Sequence, residues 1–112
     1  MREAPGTRNT EELICLLEAE WDEPDGFLWR LRMTGTLDPQ GYERFERLLR
    51  SIKLAGETTI DRRLVSLLWF APIVMRNQLD RIRAEGGVFG DLASATNAIE
   101  ALLMSDEILG TP

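Results

Sequence analysis

The chain is 112 residues long, with 44% hydrophobic and 29% charged residues and a formal net charge of −6. That length predicts one domain, and the composition is that of a soluble globular chain, which disfavours disorder except at the ends. The absence of histidine removes the commonest general base and metal ligand, and a single cysteine excludes an internal disulfide and a zinc cluster.

Residues 1–8, with Pro5 and Gly6, read as a flexible tail, and residues 9–112 as a single helical domain. Asn9 and Glu12 have capping-box spacing for a first helix that runs to about Asp22. Leu13, Ile14, Leu16, Leu17 and Trp21 form its apolar arc, opposite Glu11, Glu12, Cys15, Glu18 and Asp22. Glu20 falls inside the apolar arc and is expected to reach water or pair with an arginine.

Pro24-Asp25-Gly26 ends that helix. In Phe27 to Met33 the alternation of Trp29, Leu31 and Met33 with Arg30 and Arg32 fits a strand. A short helix capped by Asp25 and stopped by Gly35 fits equally well. We take the helix, because no second strand is visible to receive a lone strand's hydrogen bonds. Asp38-Pro39 marks the start of a third helix, predicted to reach about Leu54 with Gly56 beyond it. Tyr42, Phe45, Leu48, Leu49 and Ile52 share one arc of this helix, with Arg44, Arg47, Arg50 and Lys53 on the rest.

The stretch Ile60 to Ala84, capped by Thr59, is the centre of the reading. Between Leu64 and Met75 only Ser66 and Pro72 are not large or plainly apolar, and a helix apolar nearly all round belongs in a core. The run is too short to cross a bilayer, which takes about 20 residues. Pro72 predicts a break or kink. Beyond it Met75, Leu79 and Ile82 face inward, with Arg76, Asp80 and Arg83 opposite. Trp69 and Phe70 project away from Leu64, Leu67 and Leu68, so the first half needs cover on two sides. Left uncovered, they would be a better interface than the acidic first helix. Gly86-Gly87 stops the run and Val88-Phe89 connects onward. Asp91 caps a last helix of Leu92, Ala95, Ile99, Leu102 and Leu103, after which Ile108 and Leu109 tuck back. The expected fold is all-α: a single-domain bundle of about five helices around a central helix, Ile60 to Ala71, broken or kinked at Pro72.

Charge is unevenly distributed. Residues 1–25 hold eight acids against Arg2 and Arg8, residues 26–83 six acids against eleven bases, and residues 84–112 five acids and no base. Either the acidic ends lie over the basic middle, or an acidic surface is exposed to attract a cationic partner. Twelve arginines against one lysine fit the codon usage of a GC-rich bacterial genome. The polar Met1 to Thr10 is followed by no apolar signal region, so a cytoplasmic location is expected, without membrane association.

No constellation declares chemistry. Cys15 sits among Glu11, Glu12 and Glu18, which disfavour a thiolate. The loop Gly86-Gly87-Val88-Phe89-Gly90-Asp91 leads into a helix but lacks the P-loop ending, and Asp91 would repel a phosphate. Glu18 with Asp22, and Asp106 with Glu107, read as solvated carboxylates. The arginines are largely matched by acids, as in Glu43–Arg47 and Glu46–Arg50, and the acidic whole opposes nucleic-acid binding. No catalytic residue, metal site or cofactor is predicted.

An acidic first helix from Glu11 to Asp25, single-domain length and missing catalytic equipment make the chain similar, as a class, to the small acidic immunity proteins that bacteria encode beside polymorphic or contact-dependent toxins. The resemblance implies a non-enzymatic protein that occludes the basic surface of a toxin. Glu11, Glu18, Asp22, Glu23 and Asp25 would then steer the partner, with Trp21 or Trp29 as anchors. The alternative is a structural or adaptor subunit, or a homodimeric scaffold.

Overall fold

The computed structural model describes residues 10–54, 59–84, 90–105 and 108. They form helices α1 (Thr10–Asp22), α2 (Phe27–Thr34), α3 (Pro39–Arg50), α4 (Arg62–Ala84) and α5 (Gly90–Leu103), with no strand among the described residues. The tail 1–8, the Asn9 cap, Gly56, the 86–89 glycine loop, Asp106-Glu107 and Leu109 lie outside them.

Phe27 to Met33 is helical, as expected. Gly26 occupies the cap position of α2, and the cap bond comes from outside: Glu20 Oε1 accepts the Phe27 N–H at 2.8 Å. Asp25 does not cap this helix. Gly35 ends it in the left-handed conformation at φ 70°, its N–H donating to the Leu31 carbonyl. At Gly26 a Cβ would overlap the backbone carbonyl oxygens of Ala19 and Glu20, so only glycine lets α1 and α2 meet this closely.

Helix α3 starts at Pro39 but ends at Arg50, short of the expected Leu54. The Asp38 side chain makes no cap bond and lies 3.4 Å from Arg30 on α2. Two other starts also differ from expectation. Asp61, not Thr59, caps α4, accepting from the Arg63 and Leu64 N–H groups at 2.8 and 3.2 Å. Asp91 lies in the first turn of α5 instead of at its cap.

Of the break or kink expected at Pro72, the break does not occur: α4 runs unbroken through it. Proline withholds one N–H from the helix and crowds the carbonyl four residues back, at about 3 kcal/mol. Tertiary burial offsets that. Leu64, Leu67, Leu68 and Ala71 before the proline, and Met75, Gln78 and Leu79 after it, are all buried. A single stripe about 120° wide joins both halves. Breaking the helix would take half of it out of register with the core.

Helix α4 packs on α1, α2 and α5, while α3 packs on α2 and α5. The central helix is therefore covered on one side and open on the other. The expectation that Ile60 to Ala71 is buried nearly all round is corrected: Ile60 precedes the helix, and Trp69 and Phe70 face solvent. Ile108 does tuck back into the core.

Candidate functional site

The first helix tests the acidic site. Glu18 is half-buried and accepts two hydrogen bonds from Arg63, at 3.1 and 2.9 Å. Glu20 is buried and binds Arg44, with Nε to Oε2 at 2.7 Å and Nη2 to Oε1 at 2.8 Å. The same Nη2 donates to the Asp25 carbonyl at 2.9 Å. Glu20 thereby favours the charged form of Arg44 and raises its pKa. At the other end of the chain Arg76 donates to Glu100 at 2.6 and 3.2 Å. These three pairs lay Glu18 and Glu20 from one end and Glu100 from the other over the basic middle, so the first of the two arrangements considered from charge holds for these acids.

Glu11, Asp22, Glu23 and Asp25 are exposed. Asp25 lies 3.6 Å from Arg30. Glu11 is about 16 Å along α1 from Asp22, at 1.5 Å per residue, so it stands apart from the other three at the α1–α2 corner. Trp21 is corrected from anchor to core. It is buried, its indole N–H donates to the Leu67 carbonyl at 3.2 Å, and the Arg32 guanidinium lies 5.8 Å from its ring centroid. Trp29 is half-buried. The residues assigned from sequence thus do not converge on one surface.

A different surface does. On the open side of α4, Trp69, Phe70 and Ile73 are 55%, 52% and 40% exposed and stand side by side on adjacent turns. A groove of about 370 Å³ runs along one flank of this ridge, between α4 and α5, lined by Trp69, Pro72, Ile73, Leu103 and Met104 with the Arg76–Glu100 pair at its rim. A second, of about 390 Å³, runs along the other flank toward α1, lined by Phe70, Leu67, Val74 and Trp21 with Asp22 and Arg63 at its edge. Scattered exposed apolar residues are normal, but a contiguous ridge of large side chains between two grooves is an interface feature. The sequence itself points to Trp69 and Phe70. Ile73 and Met104 are not singled out there, although the spacing of Trp69 and Ile73, one turn apart and opposite the buried stripe, carries the signal.

Among the described residues no three Asp, Glu or Cys side chains meet in a way that could hold a metal, and no helix is long and apolar enough to cross a membrane. Comparison with protein-family models, with curated proteins and with solved structures found no match to this chain.

Proposed function

We propose that this chain is a non-catalytic protein-binding module whose docking surface is the outer ridge of α4. One observation carries the reading: Trp69, Phe70 and Ile73 stand exposed together while the same helix buries its opposite face. Keeping an indole, a phenyl ring and a branched aliphatic in water forgoes roughly 1.5–3 kcal/mol per side chain that a protein surface would recover. Tryptophan is also the residue most enriched among binding hot spots. A photo-crosslinking amino acid at position 73, introduced in the native cells, should yield a protein adduct. The same probe at the exposed Arg47 on α3 should not. No adduct at position 73 would sink this reading.

A second reading, an inhibitor of a basic toxin domain, draws on Asp22, Glu23 and Asp25, which remain exposed after Glu18 and Glu20 are taken up by arginines. Asp22 also borders the groove beside Phe70, which would put an acidic edge next to an apolar centre. Reversing these three charges should slow association with such a toxin and flatten its salt dependence. Unchanged association would remove the acidic corner from the interface.

A further inference from the structure

The outer face of α4 carries a pattern longer than the ridge. Arg62, Ser66, Trp69, Ile73, Arg76 and Asp80 follow one another at steps of four, three, four, three and four residues. At 100° per residue they fall within an arc of about 80°. All are exposed except Ser66, which is half-buried. This is the spacing of a seam between two packed helices, and it lies opposite the stripe that α4 already buries.

The seam is complementary to itself when reversed. Turned end for end about Ala71, Trp69 falls opposite Ile73, the small Ser66 opposite the long Arg76, and Arg62 opposite Asp80. A large ring meets a smaller aliphatic, a short side chain makes room for a long one, and a cation meets an anion. In a parallel arrangement Arg62 would face Arg62 and Asp80 would face Asp80, so only the antiparallel one is electrostatically matched. An unrelated partner would not require the pattern to match its own reverse.

We propose that the occupant of the α4 ridge is a second copy of this chain, packed antiparallel across a two-fold axis at Ala71, with Trp69 of each copy against the other's Ile73 and Arg62 of each beside the other's Asp80. The inference rests on the reading of the ridge as a docking surface and names its partner. Such a contact is isologous, so it closes at two copies. Arg62 and Asp80 are about 27 Å apart along α4 and cannot pair within one chain, since 18 residues rise 1.5 Å each. Arg76 lies one turn from Asp80, but both of its side-chain hydrogen bonds go to Glu100.

The test is sedimentation equilibrium of the purified full chain over a range of concentrations, with circular dichroism to monitor folding. The parent chain should dimerise, and Ile73→Asp should remain monomeric with its helical signal intact. Arg62→Asp and Asp80→Arg should each weaken self-association about tenfold or more, because each changes two symmetry-related pairs from attraction to repulsion. Both swaps suit the helix, placing an acid in its first turn and a base near its last. The double swap should restore association to within about threefold of the parent. A folded double-swap chain that stays as weak as either single swap would overturn the antiparallel pairing. Dimerisation that Ile73→Asp leaves intact would place the contact elsewhere and overturn the proposal. A monomeric parent whose position-73 crosslinker captures a different protein would overturn the second copy and leave the ridge reading standing. A monomeric parent with no adduct would overturn both.

Discussion

Glu20 and Arg44, 24 residues apart in sequence, are joined by two hydrogen bonds of 2.7 and 2.8 Å, and the carboxylate of the pair is almost wholly buried. The same carboxylate accepts the first N–H of α2, so one side chain ties α1, α2 and α3 together. Glu20→Ala removes all three bonds and strands a buried N–H; a loss of about 2–4 kcal/mol is expected in chemical denaturation. Arg44→Ala leaves the buried carboxylate without its cation and should cost about 2–3 kcal/mol. The double variant should cost clearly less than the sum. Strict additivity would mean that the two groups act independently.

Tyr42 supplies a pH signature. Burial, then its hydrogen bond to Glu46 and the charge of that carboxylate, push the phenol from 10.0 up to about 12. A raised folded-state pKa means that folding favours the protonated phenol. The stability it contributes is complete below pH about 10 and is lost as pH rises toward about 12. Tyr42 is the only tyrosine of the chain, so tyrosinate absorbance reports it alone. In the folded protein its midpoint should lie near 12, and Tyr42→Phe should remove this part of the alkaline loss of stability. A midpoint near that of free tyrosine would contradict the geometry.

Pro72 stands inside a continuous helix at a local cost that neighbouring burial offsets. Pro72→Ala restores the missing donor and relieves the crowding, at the expense of a freer unfolded chain. A net stabilisation of about 1–2 kcal/mol is expected in thermal or chemical unfolding. A less stable variant would show that the ring's contacts in the α4–α5 groove outweigh the backbone gain.

Gln78 is buried with its amide oxygen unpartnered, and its amide nitrogen donates to the Arg32 carbonyl only at 3.4 Å. Replacing it by Leu removes an unsatisfied acceptor and gives up a long, weak bond. Gln78→Leu should raise the unfolding free energy by about 1 kcal/mol. A fall in stability would indicate that the Arg32 bond is stronger than its length implies.

Helical periodicity made most of the elements legible, because each apolar stripe spans several turns and repeats its signal. Phe27 to Met33 is too short for that, and it resolved as helix because it lies between α1 and α3 with nothing to pair with as a strand. Glu20 was visibly out of place in an apolar arc, but its partner lies in another helix, so the sequence could name arginine without naming Arg44. A break at Pro72 is what the sequence suggests, because the local cost of proline is legible there while the burial that offsets it is not. Trp21 shows the converse difficulty: a tryptophan beside acids fits a core and an interface equally well until its neighbours are known. The spacing of Trp69 and Ile73 sets them opposite the buried stripe of α4, but whether α3 covers that face depends on which helices it packs against, and no spacing within α4 carries that.

The bond from the Trp21 indole to the Leu67 carbonyl spans 46 residues and sets an order on folding during synthesis. A chain growing from its N-terminus holds both members of the Glu20–Arg44 pair once residue 44 is made, so the corner of α1, α2 and α3 can close early. Trp21 still lacks the helix that carries its hydrogen-bond acceptor, and α1 lacks one of the two helices that pack on it. Until α4 emerges, the side of α1 that packs on α4 is bare, and the nascent chain passes through a half-built stage whose sticky side is the future core. The ribosome has to add some forty residues beyond Arg44 to complete α4, which is on the order of seconds at ordinary elongation rates.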